Sequence, residues 1–217
     1  MNTSLVQVLG AVAYGELKAY EGAKAEAEAA TTEAERLRYR KVAAEELRHH
    51  KGFVARLEAL GADPERAMAP YRVPLDRYHG RAPGDEVDEA VFGYLGEGVA
   101  DDLLQWLRRV VDPETAAFID TVIEDEVEHE AGAAADLRAV LDTTPGARRR
   151  AGRASRRMLV HMLWSGRTGA APLAAFLRLG RPHDLLGAIL GGHVRRMSAV
   201  GLGPFGLPRL VLPTRDG

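Results

Sequence analysis

The chain of 217 residues contains no cysteine. This absence excludes disulfides, Fe–S clusters, thiolate zinc sites and catalysis by a cysteine nucleophile. Aromatic residues make up only 6% of the chain, and no run of about 18 apolar residues occurs, so no transmembrane helix is expected. The first residues lack the basic and apolar regions of a signal peptide, and we therefore expect a cytoplasmic protein.

The last third of the chain has no lysine and almost no acidic residues. Residues 143–217 contain 13 arginines and two aspartates, whereas residues 1–142 contain 16 lysines and arginines against 29 acidic residues. The formal charges of +11 and −13 account for the net charge of −2. Such a split predicts two kinds of surface. We expect a helical bundle at 1–145 and a basic helical extension at 146–217 packed on it.

Long stretches with a helical period and abundant alanine predict an all-α protein. The sequence predicts four long helices, at 4–29, from a cap at Thr31 or Thr32 to about Leu60, at 86–111 and at 113–141. Residues 62–84 contain four prolines, so they are predicted to be a long crossover rather than one helix. Beyond residue 145 we expect apolar helical pieces at 158–164, 171–179 and 184–200, then an extended tail from Gly201.

Two Glu-x-x-His motifs, Glu46 to His49 and Glu126 to His129, lie on the apolar stripes of two predicted helices. This spacing places carboxylate and imidazole on one helix face, about one turn apart. Polar groups on a buried stripe are unfavourable unless something pairs with them. Two such faces in one core indicate a shared metal centre. The known arrangement is a four-helix bundle in which two further helices each add one glutamate.

Glu16 and Glu97 fit the two further positions, because each lies on an apolar stripe about one helix and turn before a motif. The predicted metal ligands are Glu16, Glu46, His49, Glu97, Glu126 and His129. Gly93, Gly96 and Gly98 flank Glu97, at about 1 kcal/mol each against alanine in a helix. Close helix packing, room for a substrate and a π-bulge near the metals are all open explanations for these glycines.

Other polar residues surround this set. Asp101, one turn after Glu97, is predicted to support the ligands from behind. Tyr94, one turn before Glu97, is placed to donate a hydrogen bond to a carboxylate, although packing in the core is the simpler prediction. His50 competes with His49, being four residues after Glu46. The residues expected to be solvated are Glu45, His50, Glu124, Glu128 and Glu130.

The donor set favours transition metals. Imidazole and carboxylate ligands without thiolate suit iron or manganese, and zinc would also bind. Four carboxylates and two neutral imidazoles balance the charge of two divalent ions. A centre of this kind with open coordination positions is suited to binding and reducing O2.

Several segments over roughly residues 5–142 resemble the ferritin-like MiaE-type proteins, a family named for the tRNA hydroxylase that acts on methylthio-isopentenyl-adenosine. They are GEL at 15–17, AEELRH at 44–49, AMAPY at 67–71, GEGVAD at 96–101 and E-x-x-H at 126–129. The resemblance implies a non-haem di-iron centre held by the same six residues, with manganese as the alternative. It also implies hydroxylation of a C–H bond with O2 and an external electron donor such as a ferredoxin and its reductase.

Other classes of function remain open. A ferritin-like ferroxidase or iron-storage subunit would use similar ligands, but it requires shell assembly, and we expect a monomer or dimer. The lack of cysteine removes the rubredoxin module of a rubrerythrin-like protein but leaves a manganese catalase-like protein open. A binding scaffold with a degraded site is disfavoured by the complete ligand set.

The arginines of the last third could contact a polyanion, because arginine commonly binds phosphate. Candidate partners are a tRNA, an acidic carrier protein, an acidic ferredoxin and anionic lipid. The simpler interpretation is that these arginines pair with the acidic bundle. The candidate residues are Arg148, Arg149, Arg150, Arg153, Arg156 and Arg157. The single histidines His161, His183 and His193 are predicted to be structural.

Overall fold

The computed structural model describes residues 2–81, 84–166 and 170–203, and this part of the chain is all-α, as the sequence predicts. The helices are α1 (Thr3–Ala29), α2 (Glu33–Ala59), α3 (Pro64–His79), α4 (Glu86–Val91), α5 (Glu97–Leu107), α6 (Pro113–Thr143), α7 (Ala147–Gly166), α8 (Ala170–Leu179) and α9 (Pro182–Ala199). None of these helices is long and apolar enough to cross a membrane.

The helix starts follow local capping chemistry. At α2 the Thr32 hydroxyl accepts from the Glu35 amide while the Glu35 carboxylate accepts from the Thr32 amide, a capping box. Asp63, Asp85 and Asp112 cap α3, α4 and α6 with their carboxylates. The predicted starts of α2, α4 and α6 are confirmed.

Residues Pro64–His79 of the predicted crossover form one helix, so the expectation that prolines prevent this is wrong. Pro64 begins α3 at a position where a missing amide is harmless, but Pro70 and Pro74 lie inside the helix. Each interior proline removes one backbone hydrogen bond. Burial offsets this loss, since Ala67, Met68 and Tyr71 form one buried face. The backbone carbonyl of Ala67 packs so closely on α1 that a Cβ at Gly10 would lie 2.3 Å from it.

The single helix predicted at 86–111 is in fact three pieces. A π-helical segment, Phe92–Gly96, separates α4 from α5, and α5 ends at Leu107. A π-helical segment, one of the open possibilities, is therefore present and includes Gly93 and Gly96. Close packing also holds, because a Cβ at Gly96 would lie 2.5 Å from the Tyr78 hydroxyl and one at Gly98 would lie 2.1 Å from Arg196 Nε. Gly93 has open space beside it.

The core has two apolar clusters. The first lies between α1, α2, α3, α5 and α6, with Ala175 of α8 and Leu185 of α9 packed against it. The second joins α4, the π-helical segment and α6 to the C-terminal helices, through residues such as Ala151, Met158 and Met197. Helices α7 and α9 thus share a buried interior with the acidic part of the chain.

The C-terminal third is more regular than predicted as far as residue 203. Helix α7 begins at Ala147 and includes the whole arginine run that was expected to precede the helix at 158–164. Helices α8 and α9 match the two later apolar pieces closely. Most of the tail predicted to be extended, residues 204–217, lies outside the described residues.

Candidate metal centre

Helices α1, α2 and α6 bring four of the predicted ligands together. One ligand atom from each of Glu16, Glu46, His49 and Glu126 lies within 4.8 Å of all the others. Glu16, Glu46 and His49 are buried, and Glu126 is nearly so. Each side chain lies on the inward face of its helix because that face is otherwise apolar.

His129 completes the arrangement from α6. Its Nδ1 lies 3.4 Å from a carboxylate oxygen of Glu46 and 3.4 Å from one of Glu126. His49 Nδ1 lies 3.5 Å from Glu126, 3.6 Å from Glu16 and 3.7 Å from Glu46. Both imidazoles therefore point Nδ1 at shared carboxylates, and Glu46 and Glu126 lie between the two rings.

The far side of each imidazole is held by a carboxylate from the opposite motif helix. His49 Nε2 lies 2.9 Å from Asp125, and His129 Nε2 lies 2.9 Å from Glu45. The prediction that Glu45 is solvated is therefore wrong, and Asp125 was not identified from the sequence. The signal was present, because an acidic residue directly precedes the first glutamate of both motifs. Such outer carboxylates fix the orientation of a ligand imidazole and raise its basicity.

The geometry fits a bound metal. Nδ1 of His49 and of His129 are buried and have no hydrogen-bond partner. Buried polar atoms without a partner are rare in folded proteins. Their separations of 3.4 to 3.7 Å from the carboxylates are close to the roughly 3 to 3.5 Å between two ligands of one ion with bonds near 2.1 Å. The cluster can hold a metal, and its oxygen and nitrogen donors suit iron or manganese.

The electrostatics of the cluster point the same way. Burial acts to lower the pKa of both imidazoles, yet the surrounding carboxylates raise the pKa of His49 to about 10 and that of His129 to about 11. Burial also acts to raise the pKa of Glu46, but the two histidines beside it lower it to about 2. Burial raises the pKa of Glu16 well above its ordinary value. The carboxylates thus require compensating positive charge, which protons provide when no ion is bound.

Glu97 is placed differently from the other predicted ligands. It is not one of the four clustered residues, and among the described residues its carboxylate has no hydrogen bond or ion pair. Burial, together with the charges of Glu46 and Glu126, raises its pKa to about 8. By surface area, however, Glu97 is exposed, as is Ala100 one turn later. Glu97 is therefore reached by water while the negative charges of Glu46 and Glu126 act on it.

The remaining candidates do not touch the clustered carboxylates. The Tyr94 hydroxyl donates to the backbone carbonyl of Arg196 at 3.3 Å, so Tyr94 is the core residue that the simpler prediction describes. Asp101 is largely buried, 4.0 Å from the Arg196 guanidinium. His50 donates from Nδ1 to the Ala13 carbonyl at 2.7 Å and does not join the ligands.

The prediction of solvent exposure is correct for some of the polar residues near the ligands and wrong for others. Glu124 and Glu128 are exposed, as predicted. Glu130 is not, because its side chain is only 30% exposed and accepts from Arg196 Nε at 3.3 Å. His50 is also partly buried. The stripe pattern misplaced these residues because it takes no account of contacts from neighbouring helices.

The six candidate arginines of α7 differ in their contacts. Three bind carboxylates: Arg148 binds Asp142, Arg150 binds Asp85 and Arg157 binds Asp88. An exposed stripe at helical spacing runs between these three residues. Its members are Arg149, Arg153, Arg156, Val160 and Trp164. Arg149 and Arg153 have no ion-pair partner among the described residues. Pairing with the acidic bundle therefore accounts for at least three of the candidate arginines.

Comparisons with known proteins agree with this architecture. A family model described as a ferritin-like domain of actinomycetes matches residues 1–192. The chain belongs to this ferritin-like family. Among solved structures, the ferritin-like chain is similar to a Synechococcus protein described as having aldehyde deformylating oxidase activity. The TM-score is 0.73 at 20% identity, over 94% of this chain and 92% of the other. A search of curated proteins gave no match.

These comparisons establish the fold but not the reaction, which has to be argued from the residues of this chain. The ferritin-like part of the predicted resemblance is confirmed by the family match. The narrower likeness to tRNA hydroxylases stays a prediction. A structural likeness at 20% identity establishes a shared fold only.

Proposed function

We propose that this ferritin-like protein is a non-haem di-iron enzyme that uses O2 to oxidise an organic substrate. The observation that carries the proposal is the pair of buried, unpartnered Nδ1 atoms of His49 and His129, both facing Glu46 and Glu126. Glu16, Glu46, His49, Glu126 and His129 would hold the two ions, with Glu97 as the sixth proposed ligand. The oxidase activity in the name of the Synechococcus structure is consistent with this chemistry.

Two irons held by these residues would bind O2 and transfer electrons to it, with manganese as the alternative metal. Asp125 and Glu45 keep the histidines oriented by accepting from Nε2. The buried first cluster excludes water from one side of the site. Glu97 and Ala100, one turn apart on α5, are both exposed. A substrate bound against this face of α5 would be next to the reacting centre.

Hydroxylation is the reaction that we favour within this class. Insertion of one oxygen atom into a C–H bond uses one O2, two electrons and two protons, and it releases one water. The chain has no cysteine, so it has no thiol couple to supply the electrons. An external donor such as a ferredoxin with its reductase would supply them. A tRNA, a carrier-bound acid and a free small molecule are the candidate substrates.

The exposed face of α7 supports a partner that carries negative charge. Arg149 and Arg153 have no ion-pair partner among the described residues, and Trp164 of the same stripe is 58% exposed. Arginine and tryptophan are over-represented among residues that dominate protein interfaces. Next to α7 is a cavity of about 300 Å³ lined in part by Phe92 of the π-helical segment, Met158 and His161. A partner docked on α7 would therefore reach the segment that precedes Glu97.

O2 uptake by the iron-loaded protein tests the proposal. The full chain, loaded anaerobically with Fe(II) and supplied with a ferredoxin and its reductase, should consume O2 with NADPH only when an oxidisable substrate is present. Glu46→Ala should abolish the uptake. Uptake that ends after one equivalent per iron pair, with ferric iron as the product, would instead indicate a ferroxidase. Oxygen release from peroxide by the manganese-loaded chain would indicate a catalase.

Salt-dependent binding distinguishes the classes of partner. Arg149→Glu with Arg153→Glu should weaken binding of total tRNA or of an acidic carrier protein, whichever is the partner, by tenfold or more at low salt. Reversing Arg178, which is exposed on α8, serves as the charge control. Binding that is equal in all variants would contradict a docking role for α7.

A further inference from the structure

Arg196 of α9 is a buried cation whose partners lie on the two helices that carry Glu97 and His129. Only 1% of its surface is exposed. Nη1 and Nη2 donate to the two carboxylate oxygens of Asp102 on α5, at 2.8 and 3.0 Å. Nε donates to Glu130 on α6 at 3.3 Å. One guanidinium thus links α5 to α6, and a planar fork of this kind fixes geometry as well as charge.

The chain leaves space for this link by placing glycine on both sides of it. A Cβ at Gly98 would lie 2.1 Å from Arg196 Nε, and a Cβ at Gly192 would lie 2.0 Å from the Asp102 carboxylate. Atoms cannot approach so closely, so any larger residue would displace either the ion pair or the helix that bears it. Gly98 directly follows Glu97, so the guanidinium packs against the backbone of a candidate ligand.

Stability alone does not explain the arrangement. A buried ion pair loses much of its Coulomb energy to desolvation, and replacing such a pair by apolar side chains is often neutral or stabilising. The positions of the partners suggest a different role. Gly98 adjoins Glu97, and Glu130 adjoins His129. The contacts of Arg196 therefore fix the separation and the orientation of the two backbone segments that present these candidate ligands.

We propose that Arg196 is a positioning residue, which holds Glu97 and His129 in register so that the second of two metal ions can bind. This inference rests on the proposed function. It assigns the C-terminal helix a role at the centre, because Arg196 of α9 contacts residues that directly follow two candidate ligands. Arg196 lies beyond residue 192, where the family match ends. The position formed by Glu16 and His49 receives nothing from α9 and should be independent of Arg196.

Stepwise metal binding by the full chain tests the inference. Co(II) is titrated into metal-free wild type, Arg196→Met and Glu130→Gln, and binding is followed by calorimetry and by the visible ligand-field spectrum. Wild type should bind two ions. Both variants should keep the first ion with unchanged affinity and spectrum, and they should bind the second at least tenfold more weakly. Glu130 is partly exposed, so Glu130→Gln provides the test if Arg196→Met fails to fold.

Arg195→Met is the matched control. Arg195 adjoins Arg196, contacts the same Asp102 at 3.3 Å and is 63% exposed, and its replacement should leave both ions in place. If the Arg196 and Glu130 variants bind both ions with equally reduced affinity, or with unchanged affinity, the inference is overturned while the proposed function remains intact. A wild type that binds fewer than two ions would contradict the proposed function, and the inference with it.

Discussion

At the scale of single residues, the orientation of the two candidate ligand histidines depends on two carboxylates outside the predicted ligand set. Asp125 and Glu45 accept from the outer nitrogens of His49 and His129, across the gap between α2 and α6. Each motif helix therefore orients the histidine of the other. Arg48 also donates to Asp125, at 2.5 Å. This network extends from the ligands to the surface of the bundle.

Asp125→Asn should weaken metal binding without removing a ligand. The amide can still accept a hydrogen bond from His49, but it no longer carries the charge that raises the basicity of the ring. We expect affinity to fall by about 10- to 100-fold, measured by competition against a chelator. The control is Asp120→Asn. Asp120 lies on α6, as Asp125 does, and forms an exposed ion pair with Arg108, so its replacement should leave metal affinity unchanged. Equal affinities in all three proteins would contradict the role given to Asp125.

A methyl group at position 98 should have an effect opposite to that expected from helix propensity. Alanine normally stabilises an exposed helical position relative to glycine by about 1 kcal/mol. At Gly98 the added Cβ would overlap the Arg196 guanidinium, so Gly98→Ala should destabilise the protein by about 1–3 kcal/mol. Gly22→Ala, in open space on α1, should stabilise it. Urea unfolding measures both, and stabilisation by both would refute the close packing.

At the scale of helices, the start of α6 is tied to the end of α2. Asp112 caps α6 through Thr115, and its carboxylate accepts from Arg56 at 2.8 Å. Arg56 also binds Glu114 at 2.7 Å and donates to the Thr115 hydroxyl. Although burial acts to raise the pKa of Asp112, the Thr115 hydrogen bonds and Arg56 lower it to about 2.

The contacts of Asp112 with Arg56 and Thr115 should make part of the protein's stability sensitive to acid. A carboxyl group with a lowered pKa in the folded state stabilises above its unfolded pKa, near 4, and loses that effect as pH falls towards 2. Asp112→Asn keeps a good capping group but removes the charge. The free energy of unfolding of wild type should therefore exceed that of the variant by up to about 1 kcal/mol at pH 7 and by less at pH 2.5. Urea unfolding at both values tests this, and a difference that grows in acid would contradict it.

At the scale of the whole molecule, the C-terminal helices belong to the interior of the protein. Ala151, Ala154 and Met158 of α7 and Met197 of α9 pack with Val91 in the second cluster. Removing them would uncover the face of α4 and the π-helical segment. It would also leave Asp102, which is 3% exposed, without its cation.

A chain ending at residue 145 should therefore be strongly destabilised. We expect loss of cooperative unfolding and strong binding of the dye ANS, because apolar surface becomes exposed. Full-length Arg149→Glu and Arg153→Glu, which change only the exposed face of α7, should keep the wild-type melting temperature. A 1–145 fragment that unfolds as sharply as wild type would show that the bundle is independent of its extension.

The sequence was informative where side-chain type and helical period act together. The cluster of Glu16, Glu46, His49 and Glu126 and the long helices that carry it follow from polar residues on apolar stripes, which only a few arrangements can satisfy. The continuous helix through Pro70 and Pro74 did not follow, because tertiary burial outweighed a local rule. The roles of Asp125 and Arg196 did not follow either. Both depend on which helices become neighbours, and local pattern carries little of that information.

The account depends most on two irons sharing one site. The most direct measurement is anaerobic Fe(II) titration of the full chain, followed by Mössbauer spectroscopy after oxidation. The account predicts two irons per chain that form an antiferromagnetically coupled pair, and loss of the pair in Glu126→Ala. Isolated high-spin iron, less than one iron per chain, or a pair that persists without Glu126 would contradict it.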